Sequence, residues 1–147
     1  MSTIVVGVDG SEGSTKALKF ALDEAKRRGA SLKLVGAWHI PAIVYEAGWV
    51  PANIDLEAYP KYSQEALDKA LADAGADTSG VEVTTVVRKG QAADVLCSEA
   101  KGAELLVVGS RGLGGFRGLM LGSVSAQCAH HAPCPLAIIP NEALKAD

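Results

Sequence analysis

TIVVGVDGS, Thr3 to Ser11, sets an apolar, largely β-branched run against a turn, Asp9-Gly10-Ser11. A strand with one wet face alternates polar and apolar side chains, whereas an unbroken run such as Thr3-Ile4-Val5-Val6-Gly7-Val8 suits a strand covered on both faces. Such strands belong to parallel sheets, where each strand is reached by a crossover that lays a helix on the sheet. The residues that follow supply that helix. From Ser14 the apolar positions Ala17, Leu18, Ala21, Leu22 and Ala25 recur at helical spacing, and Lys26, Arg27 and Arg28 precede Gly29 as they should at a helix C-terminus. Leu32 to Trp38 reads as the second strand, with Gly36 leaving room for something to approach its backbone.

The pattern lapses between Pro41 and Pro60, a long connection that holds Pro51, Tyr45, Trp49 and Tyr59 and reads equally as a functional loop or a flap over the core. Helical spacing resumes with Tyr62, Ala66, Leu67, Ala70, Leu71 and Ala74 and ends at Gly75, and a strand follows from Val81 to Val87. After Gly90 a helix carries Ala92, Val95, Leu96 and Ala100, and Leu105 to Val108 is the fourth strand. A short helix from about Gly122 to Ala132 leads to the last strand, Leu136 to Ile139, which Pro140 stops. The order is β-α-β-α-β-α-β-α-β, an α/β parallel sheet with helices on both faces and right-handed crossovers, as in about 98% of such connections.

A chain of 147 residues with 48% hydrophobic and 21% charged content has the size and composition of one globular domain, so residues 1–147 are expected to form a single unit. A net charge of −3 gives no electrostatic drive toward nucleic acid or an anionic membrane. The amino terminus lacks the basic run and apolar core of a signal peptide, and no stretch is long enough to span a bilayer. The three cysteines, Cys97, Cys128 and Cys134, are an odd number better suited to reduced thiols than to a disulfide framework. The expected location is cytoplasmic.

In open parallel sheets, ligands sit beyond the carboxyl ends of the strands, where the strand order reverses. Three segments converge there: Asp9 to Ser11, Gly36 to His39, and Gly109 onward. The last is VVGSRGLGGFRGLMLGSVS, Val107 to Ser125, with glycines at 109, 112, 114, 115, 118 and 122 between an apolar strand and a helix. Glycine lets main-chain N–H groups close on a ligand with no side chain between, and the unbonded N–H groups of a helix N-terminus seat anionic oxygens. Ser123 and Ser125 can add hydroxyl donors. A P-loop would need Lys where Ser123 stands, and a dinucleotide fingerprint read from Gly112 and Gly114 would need Gly in place of Arg117.

The spacing Gly109, two residues, Gly112, nine residues, Gly122-Ser123 instead resembles the ATP-binding motif of the universal stress protein family. IVVGVDGSEGSTKAL, Ile4 to Leu18, is similar to the family's first strand and turn, and HAPCPLAIIP, His131 to Pro140, to its closing strand. The likeness covers essentially the whole chain. It implies an open five-stranded sheet in the order 3-2-1-4-5, of the adenine nucleotide alpha hydrolase-like kind, and a homodimer paired along Leu136 to Ile139. It also implies ATP, with Mg²⁺, as the bound group. Asp9, with Gly10 and Ser11, would lie near the ribose or the phosphate-bound metal, and Ala37 would line the adenine pocket. Val108, Gly109, Arg111 and Gly112 would contact ribose and phosphates; Gly122, Ser123, Val124 and Ser125 would close on the phosphates.

Other residues read two ways. Cys128, His130, His131 and Cys134 place four metal-ligating types within seven residues, but helix and strand would split them, which favours helix-end packing over a tetrahedral site. Asp9 reads as a catalytic carboxylate or as a turn residue and cap for the first helix. Arg111 and Arg117 read as phosphate clamps or as solvated loop charges, and Trp49 as a lid over the base or as an anchor for its loop. Hydrolysis of ATP needs a group that orients water and further cationic charge at the γ-phosphate. Beyond Asp9 the expected mouth offers no acid/base pair or nucleophile. The sequence therefore favours a dimeric nucleotide-dependent binding module in stress response, with at most slow hydrolysis, over an adenine-nucleotide hydrolase or adenylyl-transferring enzyme, and over a nucleotide-free scaffold dimer.

Overall fold

The computed structural model describes residues 2–40, 48, 55–74, 77–111 and 121–140. Its elements run β1 (Thr3–Gly7), α1 (Glu12–Arg28), β2 (Ser31–Trp38), α2 (Ala58–Asp73), β3 (Val83–Lys89), α3 (Ala92–Glu99), β4 (Leu105–Gly109), α4 (Ser123–His131) and β5 (Leu136–Ile139). The five strands form one parallel sheet in the order β3-β2-β1-β4-β5, as the sequence implied.

The central strands are apolar because both of their faces are covered. Ile4, Val5 and Val6 of β1 are fully buried, as are Leu106 and Val107 of β4. One core lies under α1 and α2, where Ile4, Val6, Leu32, Leu34 and Val107 meet Ala17, Leu18, Ala21, Leu22 and Leu67. The other lies under α3 and α4, where Val5, Val35, Leu106 and Val108 meet Ala93, Val95, Leu96 and Cys128. Neighbouring residues along β1 and β4 thus serve opposite cores, as the period of two requires.

Helix α1 buries the five apolar positions read from the sequence. It starts at Glu12, two residues before Ser14, because Ser11 is its N-cap: the Ser11 hydroxyl accepts the Ser14 N–H at 3.1 Å. The cap is therefore Ser11 and not Asp9. Gly29 ends the helix in the left-handed conformation (φ 64°), returning its N–H to the Ala25 carbonyl. Helix α2 begins at Ala58 rather than Tyr62, with Pro60 in its first turn, where no intrahelical N–H is needed. Strand β3 ends at Lys89, two residues later than the apolar run suggested, since it is an outer strand whose Thr84, Thr85, Arg88 and Lys89 are exposed. Gly36 is indeed closely approached, but by the protein itself: a Cβ there would stand 2.5 Å from the Ser63 hydroxyl and 3.5 Å from Leu67 of α2.

Candidate functional site

Strands β1 and β4 lie side by side, Ile4 beside Leu105 and Val6 beside Val107. The chain leaves β1 toward β2 and leaves β4 toward β5, so the strand order reverses between them, the place where open parallel sheets seat ligands beyond the carboxyl ends of their strands. Asp9 follows β1 at this rim, and Ser110 and Arg111 follow β4.

The β1 side of the rim is held by a short network. The Asp9 carboxylate accepts the Ser11 N–H at 2.9 Å, and the Asp9 N–H donates to the Ser14 hydroxyl at 3.3 Å. Ser14 in turn donates to the Ser11 carbonyl at 3.0 Å. Asp9 is exposed, and this network fixes both its backbone and one oxygen of its carboxylate at the rim. Gly109 lies on the β4 side with its backbone against α1. A Cβ at Gly109 would stand 3.0 Å from both the carbonyl carbon and oxygen of Gly13, so this glycine serves packing between β4 and the first turn of α1.

Ser110 is the junction of the β4 side. Its N–H donates to the Ile139 carbonyl at 2.8 Å, and its own carbonyl accepts the Gly122 N–H at 2.6 Å and the Ser125 hydroxyl at 2.8 Å. These bonds set the start of α4 against the end of β4. Gly122 is the N-cap of α4, extended at φ −76° and ψ 173°, with no side-chain cap and no acidic residue in the first turn. The other helix starts differ. Helix α1 has the Ser11 cap and Glu12, α2 is preceded by Glu57, and α3 has Asp94 in its first turn. The N–H groups of Ser123, Val124 and Ser125 come before the first intrahelical donor, that of Ala126, which bonds to Gly122 at 3.0 Å. Among the described residues the α4 start carries no acidic group at its cap or in its first turn, and a positive helix end of this kind suits an anion.

The structure brings together much of the expected set. Val108 belongs to the apolar cluster under α3 and α4, and Ala37 and Val124 pack against that same cluster. Asp9, Gly10 and Ser11 follow one central strand, and Gly109 ends the other with Arg111 two residues beyond it. Ser123 is exposed, whereas Ser125 is only 2% exposed and its hydroxyl proton is directed to the main-chain oxygens of Ser110 and, at 3.1 Å, Gly122. Gly112, with Gly114, Gly115, Arg117 and Gly118, lies outside the described residues, as does Trp49. Sequence reading missed Gly13, Ser14 and Ser110. A serine between Gly109 and Arg111 has no local pattern that announces a bond to Ile139, twenty-nine residues on.

The Cys and His cluster separates as the elements do. Cys128 is fully buried in the core beneath α3 and α4, and burial, with Cys97 beside it, pushes its thiol up to about 12. His130 and His131 are exposed at the end of α4, and Cys134 donates to the Pro135 carbonyl at 3.4 Å. All three cysteines are free thiols, and among the described residues no group of three or more His, Cys, Asp or Glu side chains converges on a common point. No helix among them is long and apolar enough to cross a membrane.

Residues 1–140 match the profile of the Universal stress protein family. The chain belongs to that family. Universal stress protein Rv2623 of Mycobacterium tuberculosis (strain ATCC 25618 / H37Rv) is 37% identical over 141 residues, which are 96% of this chain and 46% of that protein. The chain thus spans about half the length of the universal stress proteins of known sequence that it matches in this way. Among solved structures, a universal stress protein in complex with cAMP is 29% identical with a TM-score of 0.65, covering 96% of this chain and 98% of that one. Universal stress protein UspA from Lactobacillus plantarum, at 21% identity, shares the fold with a TM-score of 0.74 over 94% of this chain and 97% of its own.

Proposed function

We propose that this universal stress protein domain binds an adenine nucleotide, ATP with Mg²⁺, beyond the carboxyl ends of β1 and β4, and that it acts as a dimeric nucleotide-dependent binding module of the cytoplasm. The observation that carries the reading is the start of α4, capped by a glycine and free of acidic residues, placed directly after β4 where the strand order reverses. A triphosphate would accept from the N–H groups of Ser123, Val124 and Ser125, with Gly109, Arg111 and Gly112 along its path. The base would rest near Ala37 and Val108. The complex of a 29% identical relative with cAMP supports the choice of an adenine nucleotide. Mg²⁺ is held by one or two carboxylates together with substrate phosphates rather than by a cage of protein ligands, and Asp9 at the rim fits that donor set. The metal would offset phosphate charge. Its coordination does not require the Cys and His cluster.

The proposed seat would offer phosphates main-chain donors, and the described residues around it supply few groups for turnover. Asp9 is the carboxylate at the rim, and the exposed His130 and His131 end α4, at the opposite pole from its phosphate-facing start. Binding with at most slow hydrolysis follows, and steady-state turnover above about 1 per second would favour the enzyme reading instead. The second copy would pair along β5. Its residues Leu136 to Ile139 are all apolar and half-buried, while the opposite outer strand, β3, presents Thr84, Thr85, Arg88 and Lys89. Charged side chains guard an edge against pairing and apolar ones invite it.

Replacing Gly122 with Val tests the seat. The backbone at Gly122 is extended, a conformation valine adopts freely, so the fold and dimer should persist. The branched side chain would stand where phosphate oxygens approach, and calorimetry should find ATP binding abolished. Unchanged affinity would place the phosphates elsewhere. Mass spectrometry of ligand released from the purified wild-type protein identifies the nucleotide, and protein that carries none and shows no thermal shift with ATP and Mg²⁺ would favour the scaffold reading.

A further inference from the structure

We infer that the Ser125 hydroxyl is a positioning group, a latch that acts on phosphates only by holding the start of α4 against the end of β4. The inference rests on the phosphate-seat reading above and assigns to Ser125 a different task from that of its neighbours Ser123 and Val124. Three observations support it. Ser125 is 2% exposed, among the most deeply buried polar residues described. Its hydroxyl oxygen lies 2.8 Å from the Ser110 carbonyl oxygen and 3.1 Å from that of Gly122, and its one proton is donated to these acceptors. The Ser110 carbonyl also accepts the Gly122 N–H at 2.6 Å, so both of its lone pairs are used.

The consequence concerns the main-chain donors. Helix α4 is nine residues long, and at its first turn the described bonds to β4 are those two, from Gly122 and from Ser125, both to one oxygen. Without the hydroxyl, only the Gly122 bond is left of these two and the first turn is freer to swing about it, carrying the N–H groups of Ser123, Val124 and Ser125 off their common aim. Donors that must reorganise on binding lose part of their affinity to that reorganisation. Ser110 extends the tie to β5 through its own N–H and Ile139, so the seat is fixed to two strands at once. A hydroxyl that touched phosphate directly would have to give up the Ser110 carbonyl. That would leave a buried acceptor with one partner fewer.

The test compares wild type, Ser125→Ala and Ser125→Thr, each measured by calorimetry with ATP and with adenosine, and by amide hydrogen exchange without nucleotide. Removing the latch should weaken ATP about three- to ten-fold, the equivalent of one ordinary hydrogen bond, and leave adenosine unchanged. Exchange at the Gly122 N–H should accelerate in the alanine variant before any nucleotide is added, and threonine should restore both properties. A variant Ser125→Ala with wild-type ATP affinity and unchanged exchange at Gly122 overturns the inference. Loss of ATP affinity with unchanged exchange also overturns it, since the hydroxyl would then be a direct ligand. Equal losses for ATP and adenosine reveal general destabilisation and overturn it likewise. If wild-type protein itself does not prefer ATP to adenosine, the phosphate seat is the reading that fails, and exchange at Gly122 still decides whether the latch exists.

Discussion

Replacing Gly109 with alanine should destabilise the protein by forcing β4 and α1 apart. The added methyl would stand 3.0 Å from both the carbonyl carbon and oxygen of Gly13, and 3.5 Å from the Arg111 carbonyl oxygen. Such contacts are tighter than ordinary van der Waals separation, so the first turn of α1 must give by a few tenths of an ångström. It cannot do so freely, because Ala17, Leu18 and Ala21 of the same helix are fully buried against the sheet and the Ser11 cap fixes its start. Overpacking of this kind costs about 1–3 kcal/mol. At about 2–4 °C per kcal/mol for a chain of this size, the midpoint of thermal unfolding should fall by about 2–12 °C. Gly102→Ala is the control. Gly102 has a φ of 77° and no atom within 4 Å of an added Cβ, so that variant pays about 1 kcal/mol in backbone strain without moving α1. Both variants should melt early, but only Gly109→Ala should also weaken ATP, since it displaces the turn that carries Asp9. A Gly109→Ala protein that melts with the wild type would refute the packing argument and return Gly109 to a role in ligand access alone.

Two further outcomes are expected, beside those for Gly122→Val and Ser125→Ala. Ser11→Ala removes the α1 cap and should cost about 1 kcal/mol, read as a fall in the unfolding midpoint, while Ser11→Asp should retain most of the stability; no change in the alanine variant would mean that water satisfies the Ser14 N–H equally well. Cys128 should resist maleimide at pH 8 until the protein unfolds, and labelling as fast as at Cys134 would contradict its burial. Its thiol ionises at about 12 in the folded protein and at about 8.5 in an unfolded chain. Between those values the unfolded state has released the proton that the folded state keeps, so stability falls as pH rises, by at most about 1.4 kcal/mol per pH unit. Cys128→Ala should flatten that fall in urea titrations taken from pH 8.5 to 11, and parallel curves would refute the assignment.

The fold was legible where burial leaves a one-dimensional trace. Ile4 to Val6 and Leu105 to Val108 read as central strands because both faces are covered, and Ala17 to Ala25 as a helix because one face is. Boundaries were less legible where something other than apolar spacing sets them. A serine cap starts α1 two residues early, a proline sits inside the first turn of α2, and exposed threonines continue β3. At the site, the glycine spacing pointed to the start of α4, but the reason for individual residues lay in contacts far apart in sequence. Gly109 faces Gly13, Gly36 faces Ser63, and Ser110 joins Ile139 to Ser125. Each of these is a meeting of two elements, and residue order records neither their distance nor their angle.

The unlike outer strands have a consequence for assembly size. If both flanks of the sheet could add a strand, copies would stack end to end into an open filament. Here Arg88 of β3 is 47% exposed and pairs with Glu99 at 3.2 Å, and Lys89 lies over the Trp38 ring at 5.8 Å, so that flank is polar and offers little to the apolar side of a third molecule. Under the proposed pairing along β5, one apolar flank and one charged flank would favour a two-fold closed pair over an open filament.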